Sequence, residues 1–468
     1  MRRMFLLGFA LCIQTIVYAQ GFENTTRAKL EDDIRYLVRT IENVHPNPYH
    51  SISKEKFYII RDSIMFSLPD SMKVIDAWQG LAYLVASLNE GHSDLRMPAE
   101  VRTALDSGSI LLFPILVSQF TKDGFVVRAD LSPDSVLHRG DIILAINDIP
   151  AAQIADHLCS TIGGLRSWRE LLAKQDFATQ LFMHGIRAPY KITYQQNGTI
   201  VTNTVQALTK EKLLAAVTAL RKNNPTPPNE PYRFTRIDNN IGYLDFRTMS
   251  TSYDPFAKFL EDTFAGIKQK PVDGLIIDLR RNGGGNSALG YRLLTYITDK
   301  AFRMAAGSKW KASEEYRTSK NTYLTSAANN DNHVKKFLSM EEGEILTMES
   351  KAEKPGKNAS RYEGKVCVLI GPNTFSSANM TANAIQDYNL ATLIGEPTGE
   401  AANDYGELYE GVLPNTKIRF VTSSKMFVRA NGDAADKNPV LPHIIVKQNP
   451  SGDKDEVLNH AIEWIKKQ

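Results

Sequence analysis

Apolar positions change their period along the chain, and each change marks a change of architecture. Ile34, Leu37, Val38, Ile41 and Val44 recur at helical spacing and stop at His45-Pro46. A second run carries Ile75, Trp78, Ala82 and Val85 and ends at Asn89-Glu90-Gly91, where the glycine suits a helix C-terminus; His92 and Ser93 follow at once. Residues from about 110 to 205 read as short strands and turns, and Thr209 to Lys222 returns to helix. The stretch Asn223-Asn-Pro-Thr-Pro-Pro-Asn-Glu-Pro231 is a proline-rich linker. Beyond it strand and helix alternate, as in an α/β domain. Ile241–Phe246 is a strand, Pro255 to Lys268 a helix, Gly274–Leu279 a buried strand, and another helix begins near Ser287. A further strand, Val366 to Ile370, leads towards Ser376. Residues from about 299 to 362 are polar with weak periodicity, which predicts an exposed insertion, either a lid or a solvated surface elaboration.

These patterns divide the chain into an N-terminal segment 1–19, a helical domain 20–108, a β-domain 109–206, a helix and linker 207–231, and an α/β core 232–468. In the first segment Arg2 and Arg3 precede an apolar run, and Val17-Tyr18-Ala19 ends it with a small residue. That is the pattern of a cleaved secretory signal, so the chain is expected in the periplasm, the cell envelope or outside the cell, with no stable membrane span afterwards. Cys159 and Cys367 then remain, too few for a disulfide framework, and no Cys/His spacing points to a metal. Hydrophobic content of 43% and charged content of 23% describe an ordinary globular chain, and a net charge of +3 gives no footprint for nucleic acid.

Two loops carry the candidate chemistry. In Asp278-Leu-Arg280-Arg-Asn282-Gly283-Gly284-Gly285-Asn286 the glycines let the backbone turn sharply and present N–H groups to an anion. An oxyanion hole, a phosphate cradle and a merely structural turn all fit such a loop, although no Lys-Ser/Thr follows as a P-loop requires. In the other loop Ser376 and Ser377 stand between a strand and the start of a helix. There a hydroxyl can be a simple N-cap, or a nucleophile if a base reaches it.

Together, Gly274-Leu-Ile-Ile-Asp-Leu-Arg-Arg-Asn-Gly-Gly-Gly285 and Leu369-Ile-Gly-Pro-Asn-Thr-Phe-Ser-Ser-Ala378 resemble the paired signatures of the S41 serine peptidases, the tail-specific or C-terminal processing proteases and their tricorn-core relatives. Ile394-Gly-Glu-Pro-Thr398-Gly399 is similar to a third block of that family. The stretch Gly140-Asp141-Ile-Ile-Leu-Ala-Ile-Asn147-Asp148 resembles part of a PDZ domain, with Asp148 where glycine is common. The resemblance implies a crotonase/ClpP-like catalytic core behind an N-terminal helical domain and a PDZ-like β-domain. It implies Ser376 as nucleophile, with oxyanion donors from the Ser377 N–H and from Gly283 or Gly284. No lysine follows directly after the third block, and Lys417 and Lys425 are out of pattern, so the serine–lysine design does not fit. Glu90-Gly91-His92-Ser93 fits the Gly-His-Ser/Thr motif of the tricorn-like branch and makes His92 the general base, with Gly91 where that branch has a serine. Asp436 aligns with the late acid of that branch, with Pro439 and His443 departing from the block around it. The implied activity is that of an exported serine endopeptidase acting on polypeptides without metal or cofactor. The alternatives are an S41-fold binding protein with weak or no catalysis, for a peptide or apolar ligand, and an esterase or amidase.

Overall fold

The computed structural model describes residues 22–223, 230–238, 240–449 and 454–467. The signal-like segment 1–19 and residues 224–229 of the proline-rich linker lie outside them.

The α/β core is built on six strands in the order Tyr232–Ile237, Ile241–Phe246, Gly274–Asp278, Val366–Ile370, Thr392–Gly395 and Ile444–Ile445. The first pair is antiparallel and the rest are parallel. Successive side chains of a strand point to opposite faces. Leu275, Ile277, Val368 and Ile370 therefore pack under Phe256, Leu260 and Phe264 of the helix Tyr253–Gln269, and against Ala378 and Ala382 of the helix Ser377–Tyr388. Ile276, Cys367, Leu369 and Ile394 meet Val457, Ala461 and Ile465 of the C-terminal helix Glu456–Lys467 on the other side. Burial on both faces explains why these strands read as unbroken apolar runs.

A second, antiparallel sheet stands beside the core, in the order Ile345–Glu349, Gly307–Lys311, Arg419–Val428 and Asp404–Val412. The short strand Asp94–Leu95 pairs with its member Arg419–Val428 at Val421 and Phe420. The helices Arg27–Val44, Lys54–Ser67 and Val74–Ala86 share one hydrophobic core with this sheet.

Residues 299–362, predicted as an exposed elaboration, are part of that core. Trp310, Tyr316, Leu324 and Phe337 are buried among the N-terminal helices, and Trp310 stacks on Phe337 at 3.8 Å between ring centroids. Few apolar residues separated by charged helical turns give weak periodicity even when each one is buried. We expect Trp310→Ala to destabilise the protein by about 3–5 kcal/mol, as for large-to-small changes in a packed core. A solvated elaboration would lose almost nothing, so chemical denaturation monitored by circular dichroism separates the two.

The β-domain has its own core, formed by Phe113, Phe125, Ile143, Phe177 and Tyr190. Its sheet runs Thr199–Val205, Tyr190–Gln196, Ile142–Ile146, Phe125–Asp130, Ile115–Phe120, leaving the last strand at an edge. Asn147 and Asp148 both have positive φ, 51° and 64°, between the paired Ile146 and Ile149. A two-residue turn of this hand favours Asn-Gly, and aspartate is one of the few other residues that visits the left-handed region; Asp148 also accepts from Lys191 Nζ at 2.8 Å. Among the described residues no helix is long and apolar enough to cross a membrane. Cys159 and Cys367 are free and buried, and burial pushes their thiols up to about 11 and about 12, which leaves both inert.

Candidate active site

Ser376 stands at the junction of the strand Val366–Ile370 and the helix Ser377–Tyr388, with φ 53° and ψ −128°. A non-glycine residue there is strained and must be held by its neighbours. Thr374 Oγ1 donates to Leu279 O at 2.9 Å and accepts from Gly371 N at 3.1 Å, and Phe375 N donates to Asn282 O at 3.2 Å. The turn is thereby stitched to the glycine loop. The N–H of Ser376 itself donates to Glu400 Oε2 at 2.7 Å. The two serines differ in what their hydroxyls do. Ser377 Oγ donates to Gly285 O at 2.6 Å, whereas Ser376 Oγ has no hydrogen-bond partner among the described residues and lines an open cleft of about 840 Å³.

The glycine loop follows the strand Gly274–Asp278. Buried Asn282 fixes it, donating to Phe246 O at 3.0 Å and accepting the Gly284 N–H at 3.0 Å. Gly284 has φ +96°, and a Cβ there would lie 2.7 Å from Ser376 Cβ and 3.0 Å from Ser377 N. A Cβ at Gly285 would lie 2.3 Å from Met249 C. Both positions exclude a side chain because other backbone occupies the space. Gly283 lines the cleft with Ser376 and Ser377, while the N–H of Gly284 is already engaged by Asn282.

His92 reaches the same cleft from the N-terminal helices. The strand pairing of Asp94–Leu95 with Arg419–Val428 fixes its loop from one side. From the other, buried Glu90 accepts His92 N at 2.6 Å and Ser93 Oγ at 2.5 Å. Ser93 thus holds the loop and leaves the imidazole to other partners. Gly91 takes the place of the expected serine for a steric reason: a Cβ there would lie 2.9 Å from the ring of Phe375. That ring packs on His92 at 4.7 Å and stacks on Trp168 at 3.9 Å.

His92 Nδ1 lies 3.1 Å from Glu400 Oε1 and 3.5 Å from Glu90 Oε1, both off the line of a straight hydrogen bond. These are ion contacts of the kind that tighten when substrate closes a site. Burial opposes charge on the imidazole, but Glu400 and Glu90 outweigh it and hold His92 well above its usual value. Burial likewise pushes Glu90 up, yet the hydrogen bonds and charge of His92, with His45 and Ser93, bring it down to about 2. Burial raises Glu400 against the pull of His92 and the Ser376 N–H. Asp404, also buried, is pushed well above the carboxylate range by burial and by Glu400. Glu90, His92 and Glu400 place three ligand-type atoms within 4.8 Å, but both Glu90 oxygens and Glu400 Oε2 already accept N–H or O–H groups and Glu400 Oε1 faces His92, which suits charge orientation better than a metal.

The residues expected from the sequence are therefore gathered unequally. His92, Ser376, Ser377 and Gly283 line one cleft, and Gly284 packs against Ser376. Asp436 is instead held by Arg429, which also pairs with Asp387 at 2.6 Å, and accepts Asn438 N at 2.9 Å. Its carboxyl is lowered by these groups against the effect of burial. The acid that meets His92 is Glu400, directly after the Gly-Glu-Pro-Thr-Gly block, and Asp436 lines a second cavity behind it. His443 accepts Leu393 N at 2.8 Å and supports the sheet. Glu400, Asp404 and Trp168 carry no local mark in the sequence as site residues, and Glu90 stands out only as part of the Glu90-Gly91-His92-Ser93 motif.

An α/β core presenting a strained serine at a helix N-terminus, beside a histidine–carboxylate pair, defines a hydrolase of the nucleophilic-serine class. Residues 240–446 match the family model described as Peptidase family S41. Those residues form a Peptidase family S41 domain, which makes the protein a serine-type peptidase. The whole fold is similar to mature CPAF, at 17% identity and TM-score 0.61, covering 94% of this chain and 96% of that one. It is similar to mature CPAF complexed with lactacystin, at 16% identity and TM-score 0.62, covering 94% and 97%. A mutant of CPAF superposes with TM-score 0.65 at 16% identity, covering 94% and 96%. The chain matches no curated protein.

Proposed function

We propose that this peptidase is an exported serine endopeptidase of the tricorn-like branch, cleaving polypeptides with Ser376 as nucleophile, His92 as base and Glu400, in place of Asp436, as the acid that orients His92. The observation that carries the reading is the unpartnered hydroxyl of strained Ser376 in one cleft with His92, whose Nδ1 meets Glu400 at 3.1 Å. Ser376 Oγ adds to the scissile carbonyl carbon as its proton passes to His92. The oxyanion takes N–H groups from Ser377 and Gly283, the latter rather than Gly284 because Asn282 engages the Gly284 N–H. The C–N bond then breaks as His92 returns the proton to the leaving amine. Water, deprotonated by His92, adds to the acyl carbon, and His92 returns that proton to Ser376 Oγ as the acyl–oxygen bond breaks. Export rests on the signal-like segment 1–19. The PDZ-like β-domain offers the edge strand Ile115–Phe120, to which an extended peptide can add.

A fluorophosphonate probe tests this directly. We expect it to label Ser376 in the purified chain, as read by peptide mapping, and not to label the His92→Ala variant. A folded native chain that stays unlabelled would overturn the reading in favour of a binding protein.

A further inference from the structure

We infer that Asp404 is a specificity residue that receives a cationic nitrogen group of the substrate, so that the enzyme cleaves beside lysine or arginine. The inference rests on the cleft being a peptidase site and names what enters it.

Asp404 is 3% exposed and lines the cleft that holds Ser376 and His92. Its Oδ1 is buried without a hydrogen-bond partner among the described residues. An orphaned carboxyl oxygen is costly in a folded protein and calls for a partner that binding supplies. Among the described residues no arginine or lysine forms an ion pair with it; the charges that act on it most are Glu400, His92 and Glu90, and His92 already faces both glutamates. Burial and Glu400 thus disfavour a charge on Asp404 in the free enzyme, and a substrate cation would favour it.

The rest of the cleft is also lined with acids. Asp94, Asp176 and Glu407 line it, while its one arginine, Arg96, is paired with Asp94 at 2.9 Å. An acidic cleft with low-dielectric walls concentrates cations and repels acidic segments. Asp404 opens the edge strand Asp404–Val412, which continues along the cleft through Tyr405, Gly406, Glu407 and Leu408. An extended peptide lying beside that strand brings its side chains to these carboxylates.

The cationic group can be a side chain or the free amine of a chain end, and the test separates them. Fluorogenic peptides identical except for lysine or glutamine beside the scissile bond are compared, each with a free and an acetylated N-terminus. We expect kcat/KM to favour lysine by tenfold or more irrespective of the terminus, and acetylation of the lysine side chain to abolish the advantage. In Asp404→Asn the lysine-to-glutamine ratio should fall at least tenfold, as when a site's polar group is left without its match. A ratio near one in the native enzyme overturns the inference, as does a ratio in Asp404→Asn equal to the native one. Preference for a free N-terminus overturns the side-chain assignment and makes Asp404 the anchor of a chain end. Fluorophosphonate labelling of Ser376 in the same samples reports on the peptidase reading separately, and it certifies that the Asp404→Asn site is assembled.

Discussion

Ser376→Ala should lower kcat/KM on a polypeptide substrate by about 10⁴-fold or more, because loss of the nucleophile leaves only binding and oxyanion stabilisation. Its stability should hardly change. The hydroxyl has no described hydrogen-bond partner to lose, and alanine inherits the same φ of 53°. Ser376→Gly gives a sharper contrast. It should be as inactive as the alanine variant yet more stable than it by about 1 kcal/mol, since glycine alone relaxes at positive φ. Denaturation curves of the two variants, run beside a turnover assay, test both halves. Equal stability would mean that the backbone at 376 is not held under strain. Residual turnover within tenfold of native would remove Ser376 from the chemistry altogether.

The second large effect is expected at Glu400, and its signature is in the pH profile. Glu400 and Glu90 hold His92 well above its usual value, so the imidazole stays charged, and unable to accept a proton, to a higher pH than an ordinary histidine. Activity of the native enzyme should therefore rise with pH through an alkaline limb. Glu400→Gln removes one of the charges that favour the imidazolium, which moves this limb towards neutral pH. The plateau should nonetheless fall by about 10²–10⁴-fold, because the imidazolium formed in the transition state loses its support and its orientation. Stability follows the same sign. A group whose folded pKa is raised stabilises fully below its unfolded value, near 6.5 for histidine, and loses that contribution as pH rises through the folded value. The native protein should weaken on the alkaline side more than Glu400→Gln does. Asp436→Asn is the control: it breaks the contact with Arg429 but should leave the limb in place. If Asp436→Asn moved the limb and Glu400→Gln did not, the acid would be Asp436, as the alignment of the sequence suggested.

The contrast between these acids shows what the sequence could disclose. Ser376, the glycine loop and His92 are legible because each lies in a short contiguous pattern with a local physical reason. One is a strand meeting a helix, one a backbone too crowded for side chains, one a histidine just past a helix end. Glu400 and Asp404 have no such local mark; their role depends on which side chains the folded chain sets opposite them. The packing of residues 299–362 was hidden for a related reason. Trp310, Tyr316 and Phe337 are too sparse to make a periodic face, and their partners lie in helices near the start of the chain. Gly91 was read as a departure, and only the ring of Phe375 beside it explains the absence of a side chain. The turn at Asn147-Asp148 was legible in form, with aspartate doing at positive φ what glycine commonly does.

The pairing of Asp94–Leu95 with Arg419–Val428 has a bearing on the birth of the molecule. The histidine loop is made early in synthesis and the serine turn late, yet the strand on which that loop rests is made later still. A ribosome that has finished the serine has not yet delivered residues 419–428. Until those residues emerge and pair, the histidine loop lacks one of the supports that fix it relative to the serine turn. A chain truncated before residue 419 should therefore turn over polypeptides more slowly than the whole enzyme.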